Sequence, residues 1–263
     1  MKILITGATS GIGFLTGVTL SNRGHKVIMT TRTDKDLKLL QEKIKKLNLK
    51  NIETYRLDIS NSEDKKLIEK KDFDVLINNA AIGIGGSIVD LEISKIKENF
   101  EINVFSTIEL TKMFCNKKIE QNKNGKIIIL SSIAGYLPIE FLGSYSATKA
   151  ALIAITKALR KELKILGKKI DINLIIPGAY KTGFNQIMID SVFNSIDNKS
   201  IFYNLKSKIY NMLNIKFNII EKRKLESIVS QIILAVECDS NRFIYSAPLL
   251  QNMIKKVYLL ICG

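Results

Sequence analysis

Thr6-Gly7-Ala8-Thr9-Ser10-Gly11-Ile12-Gly13 joins a short apolar run, Lys2–Thr6, to a segment of helical period, Ile12–Arg23. Glycine permits the φ angles of a tight turn and has no Cβ to keep a pyrophosphate away from the backbone. The first turn of a helix adds unpaired N–H groups and the positive end of the helix dipole. The stretch predicts a strand, a dinucleotide-binding turn and a helix; the alternative is an ordinary glycine turn. The residues predicted to contact the dinucleotide here are Gly7, Ser10, Gly11, Ile12 and Gly13.

Short apolar runs alternate with segments of helical period along the first 180 residues, with no linker between them. The predicted strands are Lys2–Thr6, Lys26–Thr31, Ile52–Leu57, Phe73–Ile77, Lys126–Leu130 and Ile170–Ile176. The predicted helices are Ile12–Arg23, one after Asp34, a short one from about Ser62, a long one from about Ser94 to Ile119, and one from about Ser144 to Leu166. Apolar strands joined by helical crossovers predict an α/β fold, a doubly wound parallel sheet flanked by helices, with ligands beyond the carboxyl ends of its strands.

The remaining part of the chain, residues 179–263, is less regular. It holds a predicted helix near Leu225–Glu237, a short strand around Arg242–Tyr245 and an apolar tail. We see no internal repeat and no second-domain boundary, and 263 residues suit one large α/β domain. Residues 1–263 are therefore expected to form a single domain.

The end of the second strand is where the adenosine ribose of a dinucleotide is expected. A cofactor without a 2′-phosphate calls for a carboxylate there, about twenty residues past the glycine turn. The sequence has Thr31 and Arg32 instead, a hydroxyl that can hydrogen-bond a phosphate and a guanidinium that can pair with it. NADP(H) is therefore favoured over NAD(H); the alternative is that Arg32 is a solvated surface arginine.

Tyr145 and Lys149 lie four residues apart at the start of a predicted helix, so both side chains project from one face. In this composition roughly one such pair is expected by chance, so the context matters. Ser132 directly follows an apolar strand, where folds of this kind carry their chemistry. The alternatives are that Tyr145 is a half-buried aromatic at a helix start and that Ser132 is a cap or turn residue.

Several motifs follow one another along the chain: Thr6–Gly13, Asn78-Asn79-Ala80-Ala81, Asn103, Ser132, Tyr145 with Lys149, and Pro177-Gly178. Their order and spacing over about residues 1–183 resemble the short-chain dehydrogenase/reductase family, although Ala81 stands where that family most often has glycine. The resemblance implies a Rossmann-type single domain and a nicotinamide cofactor. It also implies an oxidoreductase that transfers a hydride between the nicotinamide and a carbonyl or secondary alcohol carbon.

The resemblance assigns roles to four side chains. It makes Tyr145 the general acid/base and Ser132 the group that holds the substrate oxygen. It has Lys149 bind the nicotinamide ribose and Asn103 anchor a water relay. These four are the predicted catalytic residues.

Further cofactor contacts follow from the same resemblance. Asp58 and Ile59, after the third strand, match the position that contacts adenine; the alternative for Asp58 is a helix or turn cap. The others are Asn79 and Ala80 beside the adenosine ribose, and Pro177, Gly178 and Thr182 beside the nicotinamide.

A tyrosine that acts as a base near neutral pH needs its ionised form favoured. The pKa of a free tyrosine is about 10, so the phenolate must gain about 4 kcal/mol. Nearby positive charge is the available source, from the Lys149 ammonium and an oxidised nicotinamide ring, provided that both lie within several ångströms in a desolvated site. Ser132, a neutral donor, would polarise a carbonyl group.

The substrate lid of the family is variable, and here it is predicted at about residues 183–224. Two apolar stripes at helical spacing stand out: Ile201, Leu205, Ile209, Met212 and Leu213 in the lid, and Leu250, Met253, Ile254, Val257, Leu260 and Ile261 in the C-terminal tail. Both stripes are expected to pack on the domain or on a neighbouring subunit. The alternative is a basic, apolar lid for an amphiphilic carbonyl compound, with peripheral contact to a membrane surface.

The formal net charge of +15 comes from 40 Lys and Arg against 25 Asp and Glu. Seven basic residues and one acidic residue lie within residues 199–224. Of the 40 basic residues 34 are Lys, whereas Arg is the residue suited to bidentate base and phosphate contacts. Because no nucleic-acid motif accompanies the charge, a nucleic-acid partner is not expected.

Other partners and sites are bounded by composition. One His and three scattered Cys provide neither a metal cluster nor a disulfide framework, so no metal and a reducing, cytoplasmic location are expected. No apolar run is long enough to span a bilayer, and no secretory signal opens the sequence. The family resemblance implies a homodimer or homotetramer. The alternative from another class is a non-catalytic dinucleotide-binding scaffold or regulatory protein, against which the complete set of Ser132, Tyr145 and Lys149 argues.

Overall fold

The computed structural model describes residues 1–167, 170–238 and 242–262. Its strands are β1 (Lys2–Ile5), β2 (Lys26–Thr31), β3 (Ile52–Arg56), β4 (Val75–Asn78), β5 (Gly125–Leu130), β6 (Ile170–Pro177) and β7 (Ile244–Ala247). Within these residues they form one parallel sheet in the order β3-β2-β1-β4-β5-β6-β7. The order reverses between β1 and β4, which is the crevice where such sheets bind ligands. The predicted doubly wound, Rossmann-type single domain is confirmed.

Helices connect the strands and cover the sheet. They are α1 (Gly11–Asn22), α2 (Asp34–Lys46), α3 (Ser62–Glu69), α4 (Ile93–Phe100), α5 (Ser106–Glu120), α6 (Gly143–Ile165), α7 (Phe184–Ser195), α8 (Lys206–Ile220), α9 (Glu226–Glu237) and α10 (Leu249–Cys262). Short 3₁₀ turns stand at Ile133–Gly135 and Tyr203–Leu205. The predicted strands and helices of the first 180 residues therefore occur in the predicted order, with ends that differ by a residue or two in most cases.

Both faces of the sheet are buried, because alternate residues of each strand point to opposite sides. On β1, Ile3 belongs to a cluster that includes Leu20 of α1 and Ile232 of α9. Its neighbour Leu4 belongs to the opposite cluster, with Leu110 of α5. This two-sided burial explains why the strands have continuous apolar sequences.

The predicted long helix from about Ser94 to Ile119 is interrupted by a π-helical turn at Glu101–Phe105, between α4 and α5. A π turn changes which residues face inward. Here the side chain of Asn103, only 1% exposed, bonds to both backbone polar groups of Ile82. One turn earlier, Asn99 does the same for Ile84. These bonds hold the segment after β4 against the helix.

The lid is more regular than its sequence indicates, because α7 and α8 pack together. Met188 and Val192 of α7 share an apolar cluster with Leu213 of α8. The lid reaches the segment after β4 closely: a Cβ on Gly83 would lie 2.3 Å from Met188 Cγ, and one on Gly85 2.5 Å from Val192 Cγ2. The two glycines therefore allow α7 to seat on this segment.

The two apolar stripes differ from their predicted packing. In the lid stripe, Ile209 and Leu213 are buried, whereas Ile201, Leu205 and Met212 are exposed. In the C-terminal stripe, the side chains described are all exposed in the single chain, so they do not pack on the domain, and packing on a neighbouring subunit stays a prediction; the side chain of Ile261 lies outside the described residues. The exposed members of the C-terminal stripe are Leu250, Met253, Ile254, Val257 and Leu260. In the described residues, no helix combines the length and apolar character needed to cross a membrane.

Candidate functional site

A cleft of about 600 Å³ lies beyond the carboxyl ends of β1, β4, β5 and β6. Most of the predicted site residues line it, although they come from loops that are far apart in sequence. They are Gly7, Ser10, Gly11, Ile12, Arg32, Asp58, Ile59, Asn79, Ala80, Ser132, Tyr145, Lys149, Pro177, Gly178 and Thr182. Gly13, Thr31 and Asn103 are predicted site residues that do not line it.

The glycine turn has the backbone that its sequence predicts. Gly7 and Gly11 adopt φ of +66° and +59°, a conformation that other residues rarely tolerate. A Cβ on Gly7 would lie 2.8 Å from the Cα of Ala80. At the N-cap of α1, Ser10 makes no side-chain capping bond, so the first N–H groups of the helix remain available to an anion.

Gly13 allows close packing of the turn on the end of β4, and its predicted contact with the dinucleotide stays a prediction. A Cβ at this position would lie 2.5 Å from Asn79 Nδ2 and 2.8 Å from the Gly7 carbonyl oxygen. Asn79 Nδ2 donates to the carbonyl oxygens of Thr6 and Gly7, at 2.9 and 2.8 Å. Thr6 Oγ1 in return accepts from the backbone N–H groups of Asn79 and Ala80. The turn after β1 is thus fixed to the end of β4, and Gly13 makes room for that junction.

At the adenosine end of the cleft, Arg32 lines the surface and Thr31 does not. Thr31 is fully buried in β2, and its hydroxyl donates to the Thr33 carbonyl at 3.4 Å. Thr31 is the last residue of β2, whereas Arg32 follows the strand, so the two side chains have different surroundings. Asp36, absent from the sequence prediction, lines the cleft near Arg32. Thr33 Oγ1 donates to its carboxylate at 2.7 Å and accepts its backbone N–H, a helix-capping arrangement that a Thr three residues before an Asp indicates.

Asp58 both caps a turn and lines the cleft, the two alternatives that its place in the sequence allows. Its Oδ1 accepts from the backbone N–H and the hydroxyl of Ser60, at 3.0 and 2.7 Å, as in a turn cap. The same residue, with Ile59, lines the cleft. One carboxylate oxygen thus shapes the turn while the residue faces the cleft.

Ser132, Tyr145 and Lys149 meet at the centre of the cleft. Tyr145 and Lys149 occupy the first two turns of α6 and are 7% and 3% exposed, so both side chains are largely shielded from bulk water. The Lys149 Nζ lies 5.6 Å from the centroid of the Tyr145 ring and donates to the Leu130 carbonyl at 3.3 Å. The Ser132 hydroxyl oxygen accepts the Ala134 N–H at 3.1 Å, and Ser132 lines the same cleft.

Burial sets the protonation of this group. It raises the pKa of Tyr145 to about 12, a rise that the Ser132 hydroxyl partly offsets. It lowers the pKa of Lys149 to about 8. At neutral pH Tyr145 is therefore a neutral phenol, and Lys149 is mostly an ammonium ion. Without a bound cofactor, burial therefore raises the pKa of Tyr145 by more than the nearby positive charge of Lys149 lowers it.

Asn103 contacts the protein rather than the cleft. Its Oδ1 accepts the Ile82 N–H at 2.8 Å, and its Nδ2 donates to the Ile82 carbonyl at 2.9 Å and to Thr148 Oγ1 at 3.2 Å. Thr148 lies on α6 between Tyr145 and Lys149, so the Asn103 side chain helps to position both the cleft wall and the catalytic helix. The water relay implied by resemblance stays a prediction.

The cleft is also lined by residues that were not predicted from the sequence: Ile82, Phe184, Ile187 and Ser191. The Phe184 ring lies 5.8 Å from the Tyr145 ring, between centroids. Phe184 begins α7 directly after the predicted cofactor residue Thr182 and Gly183. Position in the chain is the one signal that could have found it, because isolated apolar residues in a lid do not differ in pattern from core residues.

The described residues show how the cysteines and the possible metal ligands are placed. Cys115 is buried and Cys238 is exposed, and neither forms a disulfide; the side chain of Cys262 lies outside the described residues. Across residues 1–167, 170–238 and 242–262, no three His, Cys, Asp or Glu side chains come together as a metal site would require.

Comparison with known proteins identifies the family of this chain. The family described as short chain dehydrogenase matches residues 1–191. The probable short-chain type dehydrogenase/reductase VdlC of Helicobacter pylori is 34% identical over 209 residues, which are 77% of this chain and 72% of that protein. An NADPH-dependent 3-dehydrocapnine reductase of Ornithobacterium rhinotracheale is 33% identical over 68% of this chain and 65% of that protein.

Solved structures share the fold. A short-chain dehydrogenase/reductase of Burkholderia phymatum, in complex with NAD, superimposes with a TM-score of 0.82 at 19% identity, over 98% of this chain and 92% of that one. Among the curated relatives the alignments cover between 59% and 74% of their length. Because the family match covers well over half of the residues, this chain belongs to the short-chain dehydrogenase/reductase family of oxidoreductases.

Proposed function

We propose that this enzyme is an NADP(H)-dependent reductase of ketones or aldehydes, which interconverts a carbonyl group and an alcohol. The observation that carries the proposal is the buried group of Ser132, Tyr145 and Lys149, in which Tyr145 holds its proton at neutral pH. A neutral phenol in a desolvated site is a proton donor, which is the role that a carbonyl reduction requires.

The cleft fits a dinucleotide. The positive φ angles of Gly7 and Gly11 and the uncapped start of α1 offer a cradle for a pyrophosphate. We assign the adenine to Asp58 and Ile59, the ribose of the adenosine to Asn79 and Ala80, and the nicotinamide end to Pro177, Gly178, Thr182 and Lys149. When bound, the cofactor supplies the hydride.

Arg32 supports NADP(H) rather than NAD(H). It lies in the cleft directly after β2, where a guanidinium can pair with a 2′-phosphate in a charge-assisted fork. The name of one relative, an NADPH-dependent reductase, points the same way. Asp36 also lines the cleft, and its negative charge would repel a 2′-phosphate. The proposed preference for NADP(H) therefore rests on Arg32.

The residues of this chain can complete the proton side of the reduction. The Ser132 hydroxyl would donate a hydrogen bond to the carbonyl oxygen and polarise it. As a hydride reaches the carbonyl carbon, the O–H bond of Tyr145 breaks and its proton passes to the oxygen, which leaves an alcohol and a phenolate. The ammonium of Lys149, 5.6 Å from the ring centroid, favours that phenolate.

The substrate is proposed to be an apolar or amphiphilic carbonyl compound. Ile82, Phe184 and Ile187 give the reacting end of the cleft an apolar wall. The boundaries of the lid, at about residues 183–224, and a homodimeric or homotetrameric state in a cytoplasmic location stay predictions.

The test is a spectrophotometric assay of a panel of ketones, aldehydes and alcohols, in which the absorbance of NADPH reports its consumption or formation. Tyr145→Phe should lower kcat by about a thousandfold, since proton transfer contributes 10²–10⁴-fold, and should leave the Kd for NADPH within about twofold. Tyr203→Phe is the matched control, because Tyr203 is exposed on the lid, and should leave kcat unchanged. Tight NADPH binding without turnover across the panel would favour a non-catalytic scaffold instead.

A further inference from the structure

The last helix of the described chain, α10, turns its polar side toward the protein and its apolar side outward. Gln251 Oε1 accepts the Ala179 N–H at 2.8 Å, and its Nε2 donates to the Ile220 carbonyl at 2.7 Å. Lys255 is only 7% exposed, with its ammonium 4.9 Å from the centroid of the Tyr136 ring. These inward contacts, one turn apart, lay the helix along the surface of the protein.

Among the described side chains of α10, those that face outward are mostly apolar. Leu250, Met253, Ile254 and Val257 are exposed by 64%, 55%, 54% and 54%. At the end of α8, next to the carbonyl that Gln251 binds, Ile219 is 77% exposed. We call these five residues the apolar face. Contiguous exposed apolar surface of this kind marks an interaction site.

A basic cluster borders the apolar face. Lys222, Arg223 and Lys224 are all exposed and directly follow the end of α8. The backbone of Lys222 pairs with Ala179 at 3.0 Å, the same residue that Gln251 holds. Glu221, the acidic residue in this segment, is engaged by Asn185 Nδ2 at 2.7 Å. The border of the apolar face is therefore strongly positive.

We infer that the apolar face and the basic cluster dock on an anionic lipid surface, with α10 lying in the plane of the interface. Apolar side chains that enter the acyl region beside lysines and arginines at the headgroups are the pattern of interfacial helices. Charge complementarity selects this occupant over a second copy of the chain. A two-fold interface through the same patch would bring the basic cluster of one copy toward that of the other, and like charges oppose such contact.

The docked orientation places the cleft near the lipid. Ala179, which Gln251 and Lys222 both bind, directly follows the cleft residues Pro177 and Gly178. An amphiphilic compound held in the membrane would thus meet the enzyme next to its cleft. Docking itself does not depend on the proposed reductase activity, so either can fail without the other.

Vesicle co-sedimentation of the full chain tests the inference. We expect binding to phosphatidylcholine vesicles that contain about one third phosphatidylglycerol, little binding to pure phosphatidylcholine, and weaker binding at about 0.15 M than at about 0.01 M salt. Leu250→Glu with Ile254→Glu should lower the partition coefficient at least about tenfold, because both side chains would enter the lipid. Arg223→Gln with Lys224→Gln should lower it about tenfold or more, since each basic residue contributes about fivefold.

Matched controls change exposed residues of the same types elsewhere. Leu67→Glu with Ile165→Glu, and Lys45→Gln with Lys46→Gln, should leave the partition coefficient within about twofold of the original. Equal effects of the control and test variants would overturn the inference, as would an absence of binding to the anionic vesicles at low salt. A dimer in light scattering that Leu250→Glu with Ile254→Glu dissociates, without vesicle binding by the original chain, would assign the face to a second copy instead.

Discussion

The centre of the cleft and the C-terminal helix depart from ordinary packing in opposite ways. The cleft buries an ionisable pair, Tyr145 and Lys149, whereas α10 exposes Leu250 and its apolar neighbours. Each arrangement costs free energy in the isolated chain, the first by desolvating a charge and the second by hydrating apolar surface. Such costs are expected where a bound partner offsets them, which is why both regions mark function.

The largest expected effect is at Lys149. A pKa lowered from 10.5 to about 8 corresponds to about 3 kcal/mol of unfavourable free energy for the ammonium in the folded state at pH 7. Lys149→Met should therefore raise the free energy of unfolding by about 3 kcal/mol at pH 7 while it abolishes turnover. The folded enzyme binds fewer protons than the unfolded chain between pH 8 and 10.5, so the difference should shrink across that window. Urea denaturation at pH 7 and pH 10 measures it.

The control for this prediction lies on the same helix. Lys161 is exposed on α6, and Lys161→Met should change the free energy of unfolding by less than about 0.5 kcal/mol at either pH. A Lys149→Met enzyme that is less stable than the original at pH 7 would show that the buried ammonium does not destabilise the fold. The contrast between the cleft and α10 would then not hold.

Cofactor preference gives the next effect. Arg32→Ala should lower kcat/KM for NADPH about 30-fold and leave that for NADH within about threefold, because a hydrogen-bonded charge pair is worth about 1.5–3 kcal/mol. Thr31→Val is the control, since Thr31 is fully buried and does not line the cleft. Steady-state kinetics with both cofactors decides. A shift in preference with Thr31→Val would mean that β2 presents Thr31 to the cofactor after all.

The close packing of α7, which lines the cleft with Phe184, Ile187 and Ser191, is tested at Gly85. A Cβ there would lie 2.5 Å from Val192 Cγ2 and 2.8 Å from Leu142 Cδ2, so Gly85→Ala should cost about 2 kcal/mol by overpacking. It should also loosen α7, whose Ser191 hydroxyl donates to the Gly85 carbonyl at 3.2 Å. Gly143→Ala is the control, because its Cβ would meet only the exposed Ile88 side chain, at 3.1 Å. Chemical denaturation and limited proteolysis of the lid measure both effects. Equal stability and equal cleavage rates in the two variants would show that the close packing of α7 does not contribute to stability.

The smallest effect is at Glu237, where α9 joins α1. Arg23 and His25 lower the pKa of its carboxyl to about 2, through bonds of 2.6–3.0 Å. Because the pair is partly exposed, Glu237→Gln should lower Tm by only about 2 °C at pH 7. The carboxylate stabilises the fold above pH 4.5, and this contribution disappears as the pH falls toward 2, so the two Tm values should converge there. Glu120 is exposed on α5, so Glu120→Gln should leave Tm unchanged. An equal fall in Tm for both variants would show that the effect of Glu237→Gln does not come from its ion pair.

Local patterns were enough to predict most of the fold. The strands are apolar on both faces and the helices keep a 3.6-residue period, so order and type could be read as far as β6. The glycine turn was predictable for the same reason, since positive φ at Gly7 and Gly11 is a local demand. The packing of α7 on Gly83 and Gly85 was not, because it depends on contact between segments about a hundred residues apart.

The surroundings of single residues depend on neighbours in space that the sequence does not show. Thr31 was assigned to the cofactor by its place at a strand end, but the strand points it into the core. Gly13 was assigned to the pyrophosphate, but its lack of a Cβ accommodates Asn79. The π-helical turn that directs Asn103 to Ile82 carries no periodic signal.

By itself the sequence determined the order of strands and helices, the turn at Gly7–Gly13 and the placing of Tyr145 and Lys149 on one helix face, because each rests on local backbone demands and spacings. The grouping of Ser132 with that pair followed from the family resemblance. Only the tertiary structure decided how deeply Tyr145 and Lys149 are buried, and hence their protonation. It also decided that α10 shows its apolar side to the outside, because a hydrophobic stripe gives the face of a helix but not the direction in which that face points.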